Sequence, residues 1–255
     1  DTLVYCYINP STNCENCDTL VVTVVSPDEI VMPMDTAVCV GSPILNLVAT
    51  PSGGTWTSVP TGVNSNGTFD PQTIGTFTLT YSIGSGSCLK VETMVVIVND
   101  LPPVNITGND EICIEGNTTL TAIGAMDYVW SPTGSLDTSI GNVVVATPTT
   151  TTTYTVTGAD TNGCENTDQV TIIVNPLPIV NAGFDVEFCD QPFAQQLMGT
   201  PADGTWTGNN VSATGNYLPA GVTQDTLVYC FTDNESCTNC DIMVVTVIDP
   251  AVLTM

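Results

Sequence analysis

Arginine and histidine are missing from this chain of 255 residues, and lysine occurs once, at Lys90. Without histidine there is no Ser–His–Asp or Cys–His relay, and without arginine no bidentate clamp for phosphate or carboxylate. The 26 acidic residues stand almost alone and give a formal net charge of −25. Such a surface repels phosphate backbones and anionic lipid, which excludes nucleic acid as a partner. Ion pairing cannot hold the fold together either, because one lysine faces 26 carboxylates. Long apolar runs are lacking too: none approaches the roughly 18 residues of a membrane span, so no membrane insertion is expected in this segment. No stretch shows helical periodicity, and nothing resembles a Gly-rich phosphate loop. No catalytic residue and no resident cofactor can be nominated, and the chain is expected not to be an enzyme. A salty exterior, where a Debye length of roughly 3–8 Å screens self-repulsion, suits this composition. A single Lys90 also offers trypsin-like proteases one site.

What the chain does contain is periodic. Trp56, Trp130 and Trp206 recur at intervals of 74 and 76, and Cys39, Cys113 and Cys189 at the same two intervals. Tyr5, Tyr81, Tyr154 and Tyr229 follow at 76, 73 and 75. Unrelated residue types sharing one period mark a tandem array of modules of about 75 residues. Asp1-Thr2-Leu3-Val4-Tyr5-Cys6 also returns, three modules later, as Asp225-Thr226-Leu227-Val228-Tyr229-Cys230. The expected division is 1–26, the C-terminal part of an Ig-like module; 27–101 and 102–176, two whole modules; 177–249, a module with extra cysteines; and 250–255, the start of another. This reads as a window on a longer polypeptide.

Thr, Val, Asn, Gly and Pro dominate, and β-branched runs alternate with period two between turn signals. Strands are predicted at 45–49, 55–58, 68–69, 77–83 and 91–98; at 118–122, 128–131, 143–146, 152–157 and 169–174; and at 196–198, 205–207, 216–218, 226–231 and 242–248. Weaker opening strands fall near 30–32, 104–107 and 179–181. The expected fold class is all-β: tandem immunoglobulin-like β-sandwiches. Proline-rich joints at Ser26-Pro27, 99–103, 175–178 and Asp249-Pro250 limit bending, so a rod-like array is expected.

Eleven cysteines recur at fixed places, as a disulfide framework does. Near-equal spacings of 49, 51 and 48 predict a recurrent bridge within each module: Cys39–Cys88, Cys113–Cys164 and Cys189–Cys237. Cys230–Cys240 and Cys6–Cys17 would clamp a hairpin, leaving Cys14 for an upstream segment. Bridges between neighbouring modules are the alternative pairing. Cys189, Cys230, Cys237 and Cys240 are also enough for a tetrahedral zinc site. Metal candidates are otherwise weak: Asp160-Thr161-Asn162-Gly163 opens like a calcium loop without its later bidentate acid, and Asp100, Asp110 and Asp249 lie at joints. One tryptophan per module, in the same frame, reads as a core residue packed between sheets; an exposed ladder for sugar stacking is the rival reading.

Tyr128-Val129-Trp130-Ser131-Pro132, the threonine run 149–153 with Tyr154-Thr155-Val156-Thr157-Gly158, and Asp160-Thr161-Asn162-Gly163-Cys164 resemble the polycystic-kidney-disease-like (PKD-like) Ig module. Gly53-Gly54-Thr55-Trp56-Thr57, Gly67-Thr68-Phe69-Asp70-Pro71 and Asp203-Gly204-Thr205-Trp206-Thr207 resemble a sister Ig-like repeat. The third module lacks Phe-Asp-Pro and adds cysteines. Both kinds of repeat belong to giant Bacteroidota surface proteins, including gliding-motility adhesins and other type IX secretion cargo. The resemblance implies an extracellular, cell-surface segment of a very large fibre or adhesin that projects a distal binding tip. Its partners would be neighbouring modules of the same chain, with lateral homo-oligomers forming a multi-stranded appendage as an extension. The rival function is a glycan- or surface-binding module acting through exposed loops. Asp-Thr-aliphatic triplets at Thr2, Thr19, Thr36 and Thr226 match an O-glycosylation pattern of the same bacteria.

Overall fold

A computed structural model describes residues 1–22 and 29–249. The expected joint at Ser26-Pro27 and the start of a further module at 250–255 lie outside the described residues. By contacts the chain divides into two compact units, one ending at Leu101 and one beginning at Pro102. The described residues hold strands, turns and one short 3-10 turn, Gly86–Cys88, and no α-helix.

The first unit opens with a hairpin, β1 (Thr2–Ile8) and β2 (Glu15–Val21), in which Cys6 lies opposite Cys17. A sandwich follows, built from β3 (Thr36–Cys39), β4 (Leu45–Asn46), β5 (Thr55–Val59), β6 (Thr68–Phe69), β7 (Gly75–Ile83) and β8 (Lys90–Asn99). One sheet has the order β3-β8-β7-β5 and the other is the β4-β6 pair. Alternation in β7 and β8 sends Phe77, Leu79, Tyr81, Met94, Val96 and Val98 into one core with Trp56 and Phe69.

The second unit holds two more sandwiches. The first comprises β9 (Asn105–Thr107), β10 (Glu111–Cys113), β11 (Thr118–Ile123), β12 (Asp127–Ser131), β13 (Val143–Ala146), β14 (Thr152–Ala159) and β15 (Glu165–Asn175). Its sheets run β10-β15-β14-β12 and β13-β11-β9 around Trp130, Tyr154, Leu120 and Ile172. The second comprises β16 (Val186–Cys189), β17 (Gln195–Gln196), β18 (Thr205–Thr207), β19 (Asn216–Tyr217), β20 (Thr223–Thr232) and β21 (Thr238–Ile248). Its sheets run β16-β21-β20-β18 and β17-β19, closing on Trp206, Leu227, Tyr229 and Val245. These are immunoglobulin-like β-sandwiches in tandem.

Three short strands were not foreseen: β3, β10 and β16, each pairing in parallel with the last strand of its own sandwich. Of the weak opening strands, 104–107 becomes β9, while the other two shrink to single bridges, Val31 with Thr50 and Asn181 with Thr200.

A Tyr–Trp pair fixes the frame of the first and third sandwiches. Trp56 lies opposite Tyr81 with ring centroids 5.1 Å apart, and Trp206 opposite Tyr229 at 5.0 Å. Tyr81 Oη donates to the Pro51 carbonyl (2.6 Å) and accepts from Gly54 N–H (2.7 Å). Tyr229 makes the same two bonds with Pro201 and Gly204. A Cβ on Gly54 or Gly204 would come within 2.4 Å of the phenol ring, which is why Gly-Thr-Trp recurs. The middle sandwich differs: Trp130 faces Val156, so Tyr154 is two residues out of the frame its spacing implied. There Tyr128, on the tryptophan strand itself, takes over the backbone-tying role through Ala125 N–H and carbonyl.

Candidate functional site

The turn entering the last strand of each sandwich carries a cysteine, and an acidic side chain shapes two of these turns. Asp160 Oδ1 accepts the N–H groups of Asn162 (2.8 Å) and Cys164 (2.9 Å), while Gly163 takes a left-handed φ of 77°. Asp233 Oδ1 does the same for Glu235 (3.1 Å) and Cys237 (2.8 Å), with Ser236 at φ 66°. The turn-closing bonds Asp160 N–H to Cys164 O and Asp233 N–H to Cys237 O are both 3.0 Å. A short side-chain acceptor thus satisfies turn donors that no strand can reach. Four N–H bonds, the one from Cys164 the largest influence, hold the Asp160 carboxyl below its ordinary value. Cys164 and Cys237 end up fully buried.

A second set of cysteines closes the short parallel strands. Cys113 lies opposite Asn175, Cys39 opposite Asn99 and Cys189 opposite Ile248. This register overturns the expected bridges within modules. Cys113 sits level with the end of β15 and Cys164 just before its start, with the whole of that 11-residue strand between them. At about 3.3 Å per residue that is roughly 36 Å, against the roughly 7 Å or less that a disulfide spans between Cα atoms. The same argument separates Cys39 from Cys88 along β8 and Cys189 from Cys237 along β21. Cys113 is instead bonded to Cys237, with Cα atoms 5.6 Å apart, so the strand end of the middle sandwich is tied to the hairpin turn of the third. Cys39 and Cys164 also sit in disulfides. Cys14, Cys88 and Cys189 carry exposed free thiols. Cys6–Cys17 and Cys230–Cys240 bridge directly opposed residues of their hairpins, at Cα separations of 4.0 and 4.1 Å.

The zinc arrangement is not assembled: Cys230 and Cys240 bond each other, Cys237 bonds Cys113, and Cys189 lies at the far end of the sandwich. Cys6, Glu15 and Cys17 do cluster at metal-ligand distances, but the two sulfurs are joined to each other. The calcium candidates do not converge either. Asp110 lies level with Ile173 near the end of β15 and Asp160 at its beginning, with Asp160's oxygens already taken up by its turn. Asp100 Oδ1 accepts Leu101 N–H at 2.8 Å. Asp249 directly follows β21. The three tryptophans are 4%, 1% and 3% exposed, which removes the sugar-stacking ladder.

Sequence reasoning overlooked several carboxylates whose partners are N–H and O–H donors instead of cations. Asp168 accepts from Ile106 N–H (2.8 Å) and Asp241 from Ala182 N–H (2.9 Å), each fastening the segment that opens a sandwich to its last strand. Asp35 and Asp185 make the reverse connection, accepting from Val95 N–H and Val244 N–H. Asp225 is 4% exposed and accepts Tyr217 Oη–H (2.6 Å) and Asn210 Nδ2–H (3.2 Å). Burial, then the Asp225 carboxylate beside it, pushes the Tyr217 hydroxyl well above the ordinary tyrosine value.

No family model matches the chain, and no curated protein does. Among solved structures it is similar to the N-terminal eight Ig domains of Down Syndrome Cell Adhesion Molecule, at 10% identity and TM-score 0.42, covering 97% of this chain and 43% of that one. It is also similar to the insect immune protein hemolin, at 11% identity and TM-score 0.31, covering 86% of this chain and 76% of that one. A third is SGBP-B of a Bacteroides ovatus mixed-linkage glucan utilization locus, in complex with a heptasaccharide, at 14% identity and TM-score 0.23, covering 88% and 72%. The chain thus spans less than half of the first of these, and such remote likenesses transfer no ligand or partner. No helix among the described residues is long and apolar enough to cross a membrane.

Proposed function

We propose that this chain is a structural repeat segment of a very large secreted surface fibre or adhesin, of the PKD-like and Ig-like kind exported by type IX secretion, holding a distal binding tip away from the cell. The observation that carries the reading is the Cys113–Cys237 bond, which ties one sandwich to the next across a sequence separation of 124. A bond of that kind serves no pocket. In the chain-entropy picture, closing so long a loop contributes about 4–5 kcal/mol against unfolding. It also gives tension a covalent path past most of two modules. Buried indoles and turn carboxylates committed to backbone donors fit a scaffold better than a sugar-binding face.

The test is to image intact cells of the source organism by electron cryo-tomography, with antibodies raised against this chain. Labelled threads extending from the envelope are expected, and bundled threads would give the multi-stranded form. Label confined to the cytoplasm overturns the proposal. An oligosaccharide captured by the isolated chain on a glycan array would favour the rival binding function.

A further inference from the structure

We infer that Cys189 is one half of a second bond of the Cys113–Cys237 type, and that its partner is the hairpin-turn cysteine of a further sandwich of this same repeat, the kind represented here by Cys88. The inference rests on reading the chain as an array of equivalent modules.

The cysteines outside the hairpin clamps fall into two sets. Cys39, Cys113 and Cys189 end the short strands, and Cys14, Cys88, Cys164 and Cys237 lie in the turns entering the last strands β2, β8, β15 and β21. The intervals from Cys14 to Cys39, from Cys88 to Cys113 and from Cys164 to Cys189 are identical, so one fixed length of chain joins a turn cysteine to the next strand-end cysteine. The Cys113–Cys237 bond unites a strand-end member with a turn member of the following module. Cys189 stands in the same frame as Cys113: the ladder continues past each, with Ile114 N–H bonded to Asn175 O at 2.8 Å and Asp190 N–H to Ile248 O at 2.9 Å. Asp190 Oδ1 then accepts Gly221 N–H at 3.1 Å, fixing the chain just beyond the thiol. Cys189 is exposed and unbonded, and so are two members of the complementary set, Cys88 and Cys14. The three-module repeat that returns the opening hexapeptide at Asp225 places a module like 27–101 after 177–249, and the turn cysteine of such a module is the equivalent of Cys88.

Closure needs a disulfide oxidant such as oxidised glutathione. The Cys189 thiolate attacks one of its sulfurs and releases one glutathione thiolate. The turn cysteine's thiolate then displaces the second glutathione from the mixed disulfide. Two protein thiols lose two protons and two electrons, and one oxidised glutathione becomes two reduced ones. Repeated along an array, such bonds would route tension from a turn cysteine through the fixed joint to the next strand end and across sulfur, bypassing most of every module.

The test extends the full chain after Asp249 with a second copy of residues 27–101, refolds it in glutathione buffer and maps cystines by non-reducing pepsin digestion and mass spectrometry. Cys189 is expected bonded to the added copy's Cys88 and closed to alkylation, whereas in the unextended chain it alkylates fully. Cys189→Ser in the extended chain should free the added Cys88 while Cys113–Cys237 and the exchange protection of the added copy persist. Cys189 remaining alkylatable beside a protected added copy overturns the inference and leaves the array reading standing. An unprotected added copy overturns both. Bonds from Cys189 to Cys14, or between chains, also overturn it.

Discussion

The hexapeptide Asp-Thr-Leu-Val-Tyr-Cys occurs twice and lives in two environments. In β20, Leu227 and Tyr229 are 0% and 3% exposed; in β1 their counterparts Leu3 and Tyr5 are 58% and 73% exposed. Strand pairing is the same in both places, with Tyr5 opposite Asp18 and Tyr229 opposite Asp241, and the cross-strand cystines match. The difference is what surrounds them. β20 and β21 have β16 and β18 on either side, whereas among the described residues β1 and β2 pair with each other alone. The hairpin register is thus the same in both places, while burial follows the strands packed beside it. A bare two-stranded hairpin is marginal in water, so the cystine should matter most where the company is missing.

Removing the clamps breaks the comparison most sharply. Cys6→Ser/Cys17→Ser should abolish amide-exchange protection across Thr2–Val21 altogether. Cys230→Ser/Cys240→Ser should cost the third sandwich about 2–3 kcal/mol, on the order of a hundredfold in protection, and leave its fold intact. Equal losses in the two hairpins would mean that the sandwich adds nothing to β20 and β21.

A smaller effect probes the interior that β1 lacks. Tyr217 and Asp225 occupy the places held in the first sandwich by Phe69 and Phe77, whose rings meet edge-on at 5.0 Å. The third sandwich compensates for its smaller Asp225 with Phe188, stacked on Tyr217 at 6.1 Å, where the first has Val38. Tyr217→Phe leaves the buried carboxylate with Asn210 alone and should cost about 1–3 kcal/mol in urea unfolding. Phe188→Val/Tyr217→Phe/Asp225→Phe, which transplants the first sandwich's filling, should recover most of it. Because the folded state raises the Tyr217 value above the ordinary 10.0, wild-type stability is fully present below that pH and falls as pH rises past it. Tyr217→Phe should lack that alkaline limb.

The long strands were legible because sustained alternation leaves one reading, as in Phe77–Ile83. The parallel strands β3, β10 and β16 were not, since segments as short as Glu111-Ile112-Cys113 carry no countable period. That omission misplaced the cystines: near-equal spacings looked like loops within a module, while the missing strands put the two cysteines at opposite ends. The hairpin clamps were legible because opposed cysteines close to a turn fix their own register. Tyr154 misled because identity was counted and frame was not; the shorter interval that separates it from Tyr81 was the sign of its offset. The turn aspartates were visible as Asp-x-x-x-Cys at Asp160 and Asp233, but Asp160 read as the start of a calcium loop rather than as a cap for the cysteine N–H, and Asp233 carried no reading at all.

The smallest effect sharpens the comparison at one aspartate in two settings. Asp241 accepts Ala182 N–H across the sandwich, the main cause of its lowered value, whereas among the described residues its counterpart Asp18 accepts the N–H of its neighbour Thr19. A depressed folded value contributes stability that is present above the ordinary 3.8 and is lost as pH falls through the folded value. Acid also protonates a surface of charge −25 and relieves its self-repulsion, which acts in the opposite direction. The urea midpoint of the third sandwich should therefore rise as pH drops toward about 4 and fall below it, a window set by ordinary carboxylate values. Asp241→Asn should flatten the fall and keep the rise. One molar salt, with a Debye length of about 3 Å, should erase the rise and spare the fall, because only the repulsion acts over distance.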